Sequence, residues 1–178
     1  MGRSRYKFHE NHYPYFITCS VVEGISLFAN PSITEIILQS IHYLQTKRQL
    51  TVYAYVVMHN HVHMIIKGDN LPDEIRKFKS FTARSVIDFL KQYRKTFLLS
   101  QLKAYKLSHH KDSEYQVWQE GVHPKQISTA DMMLQKVEYI HYNPVRAGFI
   151  VSPCHWRCSS VHDYEGNSGI IPVTLFSG

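Results

Sequence analysis

The chain has 178 residues, 44% of them apolar, with 8 Gly and 7 Pro scattered rather than gathered into a linker, so the expectation is one domain over residues 1–178 with a core of its own. Lys and Arg outnumber Asp and Glu by 20 to 14, a formal net charge of +6, which suits a polyanionic partner. No apolar run approaches the roughly 18 residues of a membrane span, and MGRSRYKFHE lacks the apolar centre of a signal peptide. The three cysteines, Cys19, Cys154 and Cys158, make no disulfide framework. A cytoplasmic protein that stays off the membrane is expected.

Residues 13–22, YPYFITCSVV, are β-branched and aromatic and predict a first strand. Asn30-Pro31 then supplies a cap and a proline for a helix over about 31–47, with Ile33, Ile36, Ile37, Ile41 and Leu44 at helical spacing. Leu50 to Met58 and Val62 to Lys67 are two apolar, β-rich runs parted by a few polar residues, which predicts a hairpin of central strands. Pro72 opens a second helix to about Lys95, in which Ile75, Phe78, Val86, Phe89 and Leu90 alternate with basic residues. The stretch 98–127 has no clean period and predicts only a short strand or irregular segment around Tyr115 to Trp118. A third helix is expected from Ser128 or Thr129, where a hydroxyl can cap and Asp131 falls in the first turn, to Pro144. The sum is an α+β fold, a ferredoxin-like split β-α-β sandwich with helices packed on an antiparallel sheet.

Charge is unevenly placed. Arg3, Arg5 and Lys7 form a basic N-terminal arm over about 1–10, and Arg76, Lys77, Lys79, Arg84, Lys91, Arg94 and Lys95 load the middle, whereas the C-terminal tail, about 155–178, has neither Lys nor Arg beyond Arg157. That asymmetry predicts a binding face.

His61-Val62-His63 begins a predicted strand, where residues two apart share a face, so both imidazoles can meet one cation while Val62 points into the core. On the third helix, Met133, Val137 and Ile140 make a core stripe, and Met132, Lys136, Tyr139 and Asn143 gather on a separate face. Tyr139 and Asn143, four apart, stack one above the other and can serve one site. Taken alone, the helix better suits a partly buried aromatic and a helix-end Asn before proline. Cys154, Cys158 and His162 could approach a zinc ion, but a fourth ligand is missing and zinc ligands usually come in tighter pairs, so no structural zinc is expected.

The segment AYVVMHNHVHMIIKG, followed some 75 residues later by VEYIHYNPVRAGFI, resembles the paired signature of REP-associated tyrosine transposases, within the single-tyrosine HUH transposase superfamily. The resemblance runs from about Tyr13 to Tyr164 and takes in Trp118-Gln119 and the WRCSSVHDY stretch from Trp156. It implies that His61 and His63 are metal ligands, that Asn143 completes the site for Mg²⁺ or Mn²⁺, and that Tyr139 is the nucleophile. It further implies cleavage and rejoining of single-stranded or hairpin DNA, by a monomer or a homodimer. The target would be a hairpin with a short flanking tetranucleotide. Arg3, Arg5, Lys77, Arg84 and Lys91 are then the candidate contacts to the DNA backbone. The chain departs from the family at His59, usually proline; its parity with His61 and His63 would allow it to face the metal, but a turn role is the expectation.

Transesterification asks for these parts. A nucleophile must align with the leaving 3′ oxygen, and a cation must take up charge on the non-bridging oxygens. Tyrosine, with an ordinary pKa near 10, needs a cation or base beside it, and a phosphotyrosine link keeps the bond energy for rejoining. Two rival functions use fewer of these residues. The run His59-Asn60-His61-Val62-His63 reads as the His-x-His-x-His of a histidine-triad nucleotide hydrolase, whose pattern wants an apolar residue at Asn60 and leaves Tyr139 and Asn143 idle. A non-catalytic nucleic-acid-binding module would use the basic helix and exposed aromatics alone.

Overall fold

The computed structural model describes residues 8, 10, 12–108 and 113–177. Arg3, Arg5 and Lys7 of the basic arm lie outside the described residues. Four strands form one antiparallel sheet in the order β2-β3-β1-β4, where β1 is Tyr15–Ser20, β2 Thr51–Val57, β3 His61–Lys67 and β4 Lys125–Gln126. Helix α1 (Pro31–Arg48) crosses from β1 to β2 with β3 lying between them, which is the split β-α-β arrangement expected from the sequence. Cysteine 19 faces Val62 across the β1–β3 ladder and Thr18 faces His63, so the register of the two central strands places both histidines beside β1.

Alternation sorts the strands into two cores. Tyr15, Ile17, Cys19, Val62, Met64 and Ile66 face α1 and α2 (Leu71–Gln92), while Phe16, Ala54, Val56 and Ile65 face α4 (Ala130–Arg146). Both faces of the central strands are therefore covered, which explains why β2 and β3 read as nearly continuous apolar runs. Fully burying one such Ile or Val contributes about 1.5–3 kcal/mol.

The helix ends follow local chemistry. The Asn30 side chain accepts from the Ser32 amide at 3.0 Å and Pro31 occupies the first turn; Thr129 likewise accepts from the Met132 amide at 3.2 Å. Helix α2 stops at Gln92, three residues before the expected Lys95, because Arg94 turns into the left-handed region at φ 49°. Helix α4 runs two residues past Pro144, with the Phe149 amide donating to the Pro144 carbonyl at 3.0 Å and Gly148 at φ 77° closing the turn. Proline forbids only its own N–H bond and crowds the carbonyl four residues back, and a helix already one turn from its end loses little by that.

The stretch with no clean period holds a helix, α3 (Thr96–Ala104), where Leu98, Leu99 and Leu102 pack inward; nine residues are too few for the period to stand out. Around Tyr115 to Trp118 there is only an isolated bridge from Trp118 to Val21, and the fourth strand lies further on, as two residues of β4 paired with β1. The outer edge of β2 is closed by the C-terminal segment: the Val57 amide donates to the Cys158 carbonyl at 2.9 Å, Ser160 donates to Tyr55 at 3.0 Å and Thr174 to Val52 at 2.9 Å. Covering that edge removes a row of unpaired backbone groups. No helix among the described residues is long and apolar enough to cross a membrane.

Candidate active site between strand β3 and helix α4

Strand parity sends His61 and His63 to the α4 side of the sheet while Val62 enters the opposite core. The two imidazole centroids lie 4.7 Å apart. His63 stacks on Phe16 at 5.3 Å, and its Nδ1 is 2.8 Å from the Thr18 hydroxyl. His61 Nδ1 donates to the Asn60 side-chain oxygen at 2.7 Å. Each ring is thus held through Nδ1 and presents Nε2 as the remaining ligand atom. Burial pushes the His63 pKa down to about 3, helped by neighbouring His61 and Lys136. Burial also lowers that of His61, partly opposed by a hydrogen bond with the Asn143 side chain. Both rings are therefore neutral at physiological pH, the form that binds metal.

Helix α4 brings the other half of the site. Met133, Val137 and Ile140 are buried against the sheet, and the helix anchors further through buried His141, whose Nε2 lies 3.0 Å from the Ser160 hydroxyl. This fixes the adjoining face, and Tyr139 meets the His63 ring at 5.4 Å and Phe16 at 5.7 Å, edge-on to both. Asn143 stands one turn on, within hydrogen-bond reach of His61. Tyr139, His61, His63 and Asn143 therefore share one site. Tyr142 sits elsewhere on the helix surface, 44% exposed.

Two cations flank the phenol. The Lys136 ammonium lies 5.4 Å from the Tyr139 ring centre and 5.0 Å from that of Phe16. The Arg146 guanidinium lies over Tyr139 at 5.2 Å. Lys136, Tyr139, Asn143 and Arg146 step by three, four and three residues, which is one helical face. That spacing is visible in the sequence, although charge is denser on α2. Lys77, Arg84 and Lys91 ride on α2, whose core lies against the other face of the sheet. Lys77 pairs with Asp73 at 2.7 Å and with Glu74 at 3.4 Å, Arg84 is exposed, and Lys91 sits 5.2 Å over the Tyr115 ring. The structure does not bring these three to Tyr139.

His59 precedes β3, so strand parity does not extend to it. Its ring packs on Phe149 at 4.5 Å and Trp156 at 5.3 Å, a turn position, and the His-x-His-x-His run does not form a triad. Cys154, Cys158 and His162 do not converge either, since among the described residues no three or more His, Cys, Asp or Glu gather closely enough to hold a metal. The pair His61 and His63 with the Asn143 amide is a mixed nitrogen and oxygen donor set, neutral throughout, of a kind that suits a divalent cation with positions left for phosphate and water.

The fold matches that of one solved protein. A solved structure of a REP-associated tyrosine transposase bound to a REP hairpin superposes with a TM-score of 0.70 at 19% identity, covering 99% of this chain and 96% of that one. A Deinococcus radiodurans R1 protein gives a TM-score of 0.44 at 16% identity over 79% of this chain and 95% of that one. No curated protein sequence matches. The sequence model described as "Transposase IS200 like" matches residues 11–143, three quarters of the length and the whole span from the first strand to Asn143, so the chain belongs to the IS200-like transposase family.

Proposed function

We propose that the protein cleaves and rejoins single-stranded DNA, on a hairpin-bearing substrate, with Tyr139 as nucleophile. The observation that supports this reading most strongly is the meeting of Tyr139 from α4 with His61 and His63 from β3 in one partly buried site, with Asn143 bonded to His61. The hairpin is carried over from the structural relative, which was solved with one bound.

The chain's own groups account for most of the reaction. Lys136 and Arg146 attract the phosphate and favour a negative oxygen on Tyr139 as its proton departs to solvent. Packing between His63 and Phe16 limits the motion of the phenol and so orients its oxygen. That oxygen attacks phosphorus, a P–O bond to tyrosine forms, the bond to the 3′ oxygen breaks, and the released 3′ hydroxyl takes a proton. Reversal with a second 3′ hydroxyl rejoins the strand. His61, His63 and Asn143 would hold Mg²⁺ or Mn²⁺, which when bound supplies positive charge to the non-bridging phosphate oxygens. Asn60 accepts from Nδ1 of His61 and the Thr18 hydroxyl bonds to Nδ1 of His63, so both rings are held in orientation for that task.

The test is incubation with single-stranded hairpin oligonucleotides and Mn²⁺, followed by a denaturing gel and peptide mass mapping. A covalent adduct on the peptide containing Tyr139, lost on chelation, is expected. Cleavage with free 5′ phosphate and no adduct would overturn the reading.

A further inference from the structure

Next to the Tyr139 site stands a second aromatic group that the cleavage chemistry leaves unused. His59, Phe149 and Trp156 surround one another: His59 lies 4.5 Å from Phe149 and 5.3 Å from Trp156, and Phe149 and Trp156 are stacked at 5.7 Å with their planes 26° apart. The group is held firmly. Trp156 Nε1 donates to the Val57 carbonyl at 2.9 Å, and the Phe149 amide closes the end of α4. Yet Phe149 keeps half of its surface in water, at 50% exposure, and neighbouring Val151 is 88% exposed. A ring fixed by two aromatic partners and left half exposed is poorly explained as core and well suited to a flat ligand.

Position and charge say which flat ligand. His59 is two residues before His61, at most about 7 Å along the chain, and Phe149 is three residues after Arg146, whose guanidinium covers Tyr139. Arg157 is exposed and, together with His59 and Trp156, lines a cleft of about 430 Å³. Rigid aromatic rings interleaved with arginines are the elements on which unpaired bases stack while their phosphates are neutralised.

We propose that His59, Phe149 and Trp156 form a stacking platform for an unpaired nucleobase close to the scissile phosphate, with Arg157 beside it to meet the strand's backbone. The platform rests on the reading of the Tyr139 site as one that cuts single-stranded DNA. It adds a place where the strand is gripped before and after cleavage. Grip by stacking tolerates any base, so its contribution should be to affinity and alignment more than to sequence choice.

The experiment uses the full chain with Tyr139→Phe, so that binding is measured without cleavage, and hairpin oligonucleotides with a single-stranded tail in which each tail nucleotide in turn is 2-aminopurine. Quenching on binding is expected at one or two adjacent tail positions. Phe149→Ala should relieve it there and weaken tailed-hairpin binding by about 5- to 150-fold, Phe149→Tyr should keep it, and a blunt hairpin without a tail should bind both variants alike. Unchanged quenching and affinity in Phe149→Ala would overturn the platform, as would a loss that extends equally to the blunt hairpin. The parent protein with Tyr139 intact separates the two ideas. If it forms an adduct while Phe149→Ala still binds and quenches normally, only the platform has failed; if it neither binds the tailed probe nor forms an adduct, the cleavage reading has failed with it.

Discussion

Helix α4 is tied to the sheet by His141, 7% exposed, whose Nε2 faces the Ser160 hydroxyl and whose ring meets Tyr164 at 5.0 Å. Burial pushes its pKa down to about 4 from an ordinary 6.5. The unfolded chain therefore binds more protons than the native one between these values, so stability is complete above pH 6.5 and falls as the pH drops towards 4. At pH 5 the unfolded imidazole is almost fully protonated and the buried one only about a tenth so, which gives a loss of about 2 kcal/mol relative to pH 7.5, rising to about 3 kcal/mol at pH 4. His141→Gln keeps a polar partner for Ser160 and cannot titrate. Urea unfolding followed by circular dichroism at pH 7.5 and pH 5, on both proteins, isolates the term: His63 and the carboxylates change equally in each, so the difference belongs to His141. The native protein should lose about 2 kcal/mol more than the variant. Equal losses would show that protonation of His141 costs nothing in the fold, and the account of how α4 is anchored would be wrong.

Ile140→Ala, at a fully buried position under the Tyr139 face, should destabilise the protein by about 2–5 kcal/mol, measured by the same unfolding assay, with a smaller loss meaning that α4 repacks. Lys136→Ala should weaken binding to hairpin oligonucleotides of any sequence and reduce the salt slope by about one, because a phosphate contact is removed; an unchanged slope would show that Lys136 meets no phosphate. Replacing Lys77, Arg84 and Lys91 together should alter binding less than replacing Lys136 and Arg146, since only the latter two flank Tyr139, and the opposite ranking would move the DNA to the α2 side. His61→Ala should abolish saturable Mn²⁺ binding seen by isothermal titration calorimetry, whereas retained binding would place the metal elsewhere.

Most of this architecture was legible from pattern alone, and the places where it was not have local causes. The first three strands and the three long helices are legible because Ile17, Val62, Ile37 and Val137 lie in patterned apolar runs whose helices begin at Asn30-Pro31, Pro72 and Thr129. Helix α3 stayed hidden because nine residues hold barely two and a half turns. The two-residue β4 has no side-chain signature; it exists because Tyr15 and Phe16 leave an edge that Lys125 and Gln126 can join. At the site, parity on β3 and the four-residue step on α4 told which side chains could meet, but not that two separate elements would face one another; that follows from which face of the sheet α4 covers, a tertiary fact. Lys136 and Arg146 share a helical face with Tyr139 that the spacing on α4 shows, although charge is denser on α2. His59 shows where strand parity stops: it shares the spacing of His61 and His63 but precedes β3, and it takes the turn position expected of it, packed on Phe149 and Trp156.

The central claim is that the Tyr139 oxygen becomes bonded to DNA. Tyr139→Phe removes that atom and keeps the ring that packs on His63 and Phe16, so folding and hairpin binding should persist. The measurement is a denaturing gel of wild-type and Tyr139→Phe proteins incubated with a labelled, cleavable single-stranded hairpin substrate and Mn²⁺. A slow-migrating protein–DNA adduct in the wild type and none in the variant is the expected result; an adduct of equal yield in Tyr139→Phe would contradict the account and shift the nucleophile to another residue, Tyr142 first.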